Sequence, residues 1–334
     1  MGTGGPIFLA GVDRSGIGLL GELLDAHPSI AISRRTNFWS FYHGRFGPLS
    51  VGSNLDRCIR SLESYTRIRA LAPDFDEIRR EFRQADDQSY GRLFALIQTQ
   101  RLRRVGKSRW GDKSLDAESH ASTIFEEYPS ARMVHVMRDP RDRFASQSLH
   151  RRAGRGGVGS GTALWLWSAR LAERNRARYP DRYLVVRFED LVRNTEECLS
   201  SICGFLDEPY CPSMIDVVAG RAAGGAMTMS SPTVPLRRTS IDRYRRDLSA
   251  RQVAFIEGRA GSTMDGFDYH PSSVLGRFDR CRFVAIDLPA WSAGMALWQF
   301  RRRFGGRGGP SRRRTVGDIP PPSVAAPLVG SSKT

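Results

Sequence analysis

Two short segments hold residue types that bind and polarise anions. The first runs Gly11-Val12-Asp13-Arg14-Ser15-Gly16-Ile17-Gly18-Leu19-Leu20, directly after the apolar run Ile7-Phe8-Leu9-Ala10. An apolar strand enters a tight Gly/Ser loop that carries one fixed cation, and a helix follows. That arrangement aims backbone N–H groups and a helix N-terminus at one point, where an anion is the natural guest. The candidate contacts are Arg14 and the backbone of Ser15, Gly16, Ile17, Gly18 and Leu19. The second segment is Arg138-Asp139-Pro140-Arg141-Asp142-Arg143-Phe144-Ala145-Ser146, after another apolar strand. Arg138, at the strand end, can fork onto a phosphate, and Ser146, two turns into the next helix, can donate a hydroxyl to the same group. Two such sites on one sheet point to a ligand with two phosphate-like groups. Each segment also has a plainer reading. The first is a glycine turn with a surface arginine; the second is a helix start in which Asp139, Arg141 and Asp142 neutralise one another.

The elements that position these residues alternate between strand and helix. Apolar runs predict strands over 7–12, 29–32, 132–137 and 183–188. Helical periodicity covers 18–26, 117–128, 141–149, 162–179, 189–206 and 249–264, with loops over 151–161 and 220–239. Strands separated by helices give an α/β fold with a central parallel sheet flanked by helices. Ligands in such sheets lie beyond the C-terminal strand ends, where both anion motifs fall. Residues 51–105 carry three helical patterns (54–63, 75–84 and 88–103) and read as a helical insert above the sheet. Residues 283–300 are apolar between arginines, but Asp287 and Pro289 weigh against a membrane span. The extension over 271–303 is therefore expected to be a helix, docked on its own domain or lying in an interface. The Gly/Arg/Pro/Ser-rich residues 304–334 are expected to be disordered.

The chain has 334 residues, 40% hydrophobic and 26% charged, an ordinary globular composition that is enough for one large domain or two small ones. No apolar leader precedes the first strand, and the five cysteines are scattered without metal spacing, so reduced thiols in a cytoplasm are expected. Peripheral membrane contact is the alternative location. The net charge of +16 is not evenly placed: residues 277–334 hold eleven Lys/Arg against three Asp, half of the excess. No zinc finger, RNP-like aromatic motif or helix-turn-helix pattern accompanies it, so the tail can make weak contact with an anionic surface without naming one.

The first loop is not a Walker A loop, because Gly16 is followed by Ile17-Gly18 and not by Lys-Ser/Thr. Together the segments resemble the sulfotransferase family that uses 3′-phosphoadenosine 5′-phosphosulfate. Arg14-Ser15-Gly16, Leu19-Leu20 and Leu24-Asp25-Ala26-His27-Pro28 match its phosphosulfate loop and the run that follows. Arg138 and Ser146 have the spacing of its 3′-phosphate site, within an Arg-Asp-Pro-Arg-Asp run typical of the bacterial and tyrosylprotein branches. Trp110-Gly111-Asp112-Lys113-Ser114, Arg187-Phe188-Glu189-Asp190-Leu191 and Gly266-Phe267-Asp268-Tyr269 keep the family's order over about residues 5–270. The resemblance implies a P-loop-like nucleotide-binding fold and sulfuryl transfer to a hydroxyl or amine of a small-molecule, glycan or peptide acceptor. It implies 3′-phosphoadenosine 5′-phosphosulfate as co-substrate and no metal. Arg14 and Lys113 would supply positive charge, and Arg243 is a further 3′-phosphate contact.

The chain departs from that pattern at its chemistry. Ile17 and Gly18 replace the usual paired hydroxyls, and Phe188 replaces a tyrosine. Arg35 stands where many relatives carry the glutamate proposed as general base, and Lys113-Ser114-Leu115 lacks the histidine of the cytosolic branch. A guanidinium cannot accept a proton at neutral pH. The remaining base candidates are Asp112, Asp13, His43 and His120. A sulfotransferase-fold nucleotide binder without turnover is the alternative function. The acceptor and the oligomeric state are not encoded in any readable motif.

Overall fold

The computed structural model describes residues 4–148, 157–216, 238–272 and 275–304. Five parallel strands form one sheet: β1 (Ile7–Ala10), β2 (Ile30–Arg34), β3 (Arg109–Lys113), β4 (Arg132–Met137) and β5 (Tyr183–Arg187). Their order is β2-β3-β1-β4-β5, so the strand that feeds the first anion loop lies at the centre. Ile7 sits opposite Gly111 on one side and Arg132 on the other. Every residue of β1 is buried, as a strand covered on both faces requires.

Successive residues of a strand point to opposite faces, and the two faces hold different cores. Phe8, Ala31, Trp110 and Met133 pack into one core with α2 (Phe38–Phe41), α3 (Gly52–Ser64), α4 (Thr66–Arg69), α5 (Phe75–Gln84) and α6 (Tyr90–Val105). Ile7, Leu9, Ile32, Val134 and Val136 pack on the other face against α1 (Ile17–Asp25), α10 (Phe188–Arg193) and α11 (Thr195–Phe205). Between these come α7 (Ala121–Glu127), α8 (Pro140–Ser148) and α9 (Gly157–Arg178).

A third core joins α9 to α13 (Ala250–Asp265), which follows the short α12 (Tyr244–Asp247). Ser249 starts α13 with a capping box to Gln252, which satisfies orphan N–H groups at the helix start. The chain then forms a long rod from α14 (Arg277–Arg282) through a π-helical turn over Phe283–Asp287 to α15 (Leu288–Phe304). Trp291 and Met295 of the rod pack into this third core. Gly159 lets the rod approach: a Cβ there would run into the Trp291 carbonyl. No described helix is long and apolar enough to cross a membrane.

The sequence reading missed one strand, and three of its expectations are corrected. The strand β3 was not foreseen, because Arg-Trp-Gly-Asp-Lys shows no apolar alternation; Arg109 and Asp112 are instead satisfied inside the protein. Arg109 reaches the Gly5 carbonyl at 2.7 Å and Glu208 at 3.0 Å. The helix expected over 189–206 breaks at Asn194, whose φ of −126° and ψ of 56° interrupt it. The long helix begins at Gly157, so residues 157–161 are helical, not loop. The helix expected over 117–128 opens with a 3₁₀ turn over Ala117–His120. The expected loops over 151–156 and 220–237, and the tail over 305–334, lie outside the described residues.

Candidate active site

The loop after β1 turns tightly. Ser15 N–H closes a turn on the Val12 carbonyl at 3.1 Å, and Arg14 and Gly16 both take left-handed φ values, 71° and 105°. At Gly16 a Cβ would collide with the Phe188 ring, so glycine is required on both counts. Gly16 caps α1 without any side-chain acceptor, so the N–H groups of Ile17, Gly18 and Leu19 point out of the helix start. The start of the loop is fixed from behind. Gly11 N–H donates to the Glu118 carboxylate at 3.2 Å. Ser168 Oγ donates to the other Glu118 oxygen at 3.2 Å and lies 3.0 Å from the His135 ring, which reaches Tyr183 at 2.7 Å. Full burial pushes Glu118 up to about 7 and His135 down to about 3.

The second anion segment meets the first directly. Arg14 Nε donates to Ser146 Oγ at 3.0 Å. Arg138 donates from Nη1 to the Arg14 carbonyl at 3.1 Å and from Nη2 to the Ser240 carbonyl at 2.6 Å. Its guanidinium lies 4.4 Å from the centre of the Phe188 ring. The residues read separately from two motifs therefore line one place.

Arg143, which the sequence reading did not single out, belongs there too. It is buried, and its Nε donates to the Asp13 carbonyl at 3.1 Å. The clue was available in the charge run, because Arg143 lies five residues after Arg138. Asp139 does pair with Arg141, and Arg141 also reaches Glu257 at 2.5 Å. Asp142 instead accepts the backbone N–H groups of Asp242 at 2.7 Å and Tyr244 at 2.9 Å, which pins the C-terminal segment beside Arg138. Burial pushes Asp142 up to about 7.

These cations crowd one another. Burial lowers Arg14, Arg138 and Arg143, the last to about 10; neighbouring cations add to this, Arg243 and Arg35 on Arg14, Arg14 and Arg243 on Arg138, and Arg138 and Arg14 on Arg143. Arg243 lies close enough to lower Arg14 and Arg138, and it pairs with Asp247 at 2.9 Å. Among the described residues, three buried donors of this cluster find no hydrogen-bond partner: Ser15 Oγ, Arg138 Nε and Arg143 Nη2. Orphaned donors among mutually repelling cations fit an anionic ligand, since a buried donor left unmade costs about 1–3 kcal/mol.

Lys113 ends β3 with its stem against Gly21 of α1. Burial, helped by the charges of Arg34 and Arg35, pushes it down to about 8. Arg35 takes a φ of 56°, donates its N–H to the Lys113 carbonyl at 2.6 Å, and reaches Asp13 at 3.9 Å. Asp13 is half-exposed on the loop itself. The other base candidates sit elsewhere. Asp112 is fully buried on β3, where it accepts hydroxyl bonds from Ser33 (2.8 Å), Thr36 (2.9 Å) and Ser114 (2.8 Å). His43 faces Glu127 at 3.4 Å between the rings of Trp39 and Tyr90. His120 contacts Ser40 at 3.3 Å. Among the described residues no cluster of His, Cys, Asp and Glu could hold a metal ion.

The model of the sulfotransferase family matches residues 6–212. The chain belongs to the sulfotransferase family. The sulfotransferase domain of the Synechococcus PCC 7002 olefin synthase has the same fold, with a TM-score of 0.54 and 21% identity over 79% of this chain and 94% of that domain. The sulfotransferase domain of the curacin biosynthetic pathway also aligns, with a TM-score of 0.54 and 16% identity over 81% of this chain and all of that domain. No curated protein matches the sequence. The matched segment of this sulfotransferase ends before Ser240, whose carbonyl completes the surroundings of Arg138.

Proposed function

We propose that the protein transfers a sulfuryl group from 3′-phosphoadenosine 5′-phosphosulfate to a hydroxyl or amine of its acceptor, without a metal. The observation that carries this reading is the 3.0 Å bond from Arg14 to Ser146, with Arg138 tied to the Arg14 carbonyl. It supports reading the two motifs as parts of one cationic site. Ser15 to Leu19, with Arg14, would hold the 5′ end. Arg138 and Ser146, with Arg243, would hold the 3′-phosphate.

The co-substrate supplies an activated sulfur with a good leaving group. The chain's own residues then have three tasks. The loop N–H groups and Arg138 fix the donor in line with the acceptor. Arg14 and Lys113 present positive charge where negative charge develops. Asp13, the candidate base that stands on the loop, takes the acceptor's proton, and Arg35 holds its carboxylate in place.

Calorimetry with 3′-phosphoadenosine 5′-phosphate, followed by a radiolabelled transfer screen over hydroxyl and amine acceptors, tests the reading. Binding with transfer is the expected result. The presence of Arg35 in place of the relatives' glutamate favours a second reading, a nucleotide binder without turnover. Binding with no transfer to any acceptor supports that reading, and no binding overturns both.

A further inference from the structure

The rod formed by α14, the π-helical turn and α15 buries one face and leaves the other bare. Trp291, Met295 and Trp298 turn inward. Arg302 also turns inward, 3.5 Å from the centre of the Trp167 ring and 3.2 Å from Asp116. Ile286, Ala290, Ala293, Leu297, Phe300 and Phe304 are all exposed, at alternating intervals of four and three residues that form a single stripe. Among the described residues eight large hydrophobics are strongly exposed, and six of them lie on this rod. Phe278 is 91% exposed at its start. Asp287, the acid within this stretch, faces Arg251 at 3.0 Å and adds no charge to the bare face.

Charge decides what can cover such a face. Exposed arginines close both ends of the stripe, Arg280 and Arg282 before it and Arg301 and Arg303 after it. A second copy of a chain with net charge +16 would bring like charges together. An anionic lipid surface offers apolar depth along the stripe and negative charge at both ends. The stripe spans 19 residues, about 27 Å at the helical rise, and lies along a helix docked lengthwise on the domain.

We propose that this face lies flat on an anionic bilayer, with the stripe in the boundary between headgroups and acyl chains and the end arginines on lipid phosphates and carboxylates. This surface is separate from the transfer site, and the proposal does not depend on the activity. The test is flotation of the full-length protein with vesicles of phosphatidylcholine alone and with phosphatidylserine added. The expected result is binding to the mixed vesicles only. Leu297→Ser with Phe300→Ser lowers the partition at least ~10-fold. Arg301→Gln with Arg303→Gln lowers it by about five-fold per charge. Both pairs are exposed, so both variants keep wild-type melting. Absence of flotation, equal flotation with phosphatidylcholine alone, or flotation unchanged by both variants overturns the proposal, the last by moving the contact to residues 305–334. A dimer in sedimentation velocity that the Leu297/Phe300 variant dissolves would give the face to a second copy and also overturns it.

Discussion

Replacing Arg138 with alanine tests the assignment of the two anion positions most sharply. Arg138 holds the Arg14 and Ser240 carbonyls and stacks on Phe188, and its Nε has no partner among the described residues. Facing a 3′-phosphate, its guanidinium makes one or two charge-assisted hydrogen bonds, each worth about 1.5–3 kcal/mol. Losing a bidentate pair therefore costs about 3–6 kcal/mol, or about 10²- to 10⁴-fold in Kd. A ligand with only a 5′-phosphate loses much less. It feels the missing bond to the Arg14 carbonyl, about 1 kcal/mol and under ten-fold. Calorimetry of Arg138→Ala with 3′-phosphoadenosine 5′-phosphate and with adenosine 5′-monophosphate separates the two effects, and thermal melting confirms that the variant is folded. Equal losses for both nucleotides would refute the division of the site into a 3′ and a 5′ end. Unchanged affinity for the bisphosphate would refute the role of Arg138 altogether.

The titrating groups give further expected outcomes. Lys113 is pushed down to about 8, so kcat/KM for the co-substrate falls as pH rises through about 8, and a pH–rate profile of Lys113→Arg moves that limb upward. Glu118 is raised from 4.5 to about 7, so the stability it lends is full below the unfolded value and is lost as pH rises through about 7. Melting curves at pH 5 and pH 8 therefore show Glu118→Gln gaining on the wild type at the higher pH. Asp112→Ala strands the hydroxyls of Ser33, Thr36 and Ser114 and lowers stability by roughly 2–4 kcal/mol in denaturant titration. Asp13→Asn leaves nucleotide Kd and melting in place but lowers kcat; an unchanged kcat would remove Asp13 from the reaction.

Local patterns made four of the five strands and both anion segments legible. An apolar run ending in a Gly/Ser turn specifies strand, loop and helix within twenty residues, and the interval from Arg138 to Ser146 is set by the helix between them. Features that depend on distant partners were hidden. β3 has no apolar alternation, and it stands because Arg109 and Asp112 find acceptors and donors far along the chain. The plainer reading of the charge run, in which Asp139, Arg141 and Asp142 neutralise one another, holds for Asp139 and Arg141, but Asp142 turns its carboxylate to backbone N–H groups one hundred residues away. That leaves Arg143 without that acid as a partner and free to turn to the Asp13 carbonyl. The break at Asn194 is a single backbone conformation that helical periodicity does not register.

The clasp between Asp142 and the chain at Asp242 and Tyr244 ties two events together. Arg138 grips the Ser240 carbonyl within the same stretch. On the proposed function, an anion that orders Arg138 while its bond to the Ser240 carbonyl stays in place would couple its binding to the docking of the segment at 240–244. Loading of the site is therefore readable from afar: amides at 240–244 exchange their hydrogens more slowly when the nucleotide is present, although they lie outside the region that carries the family's signature.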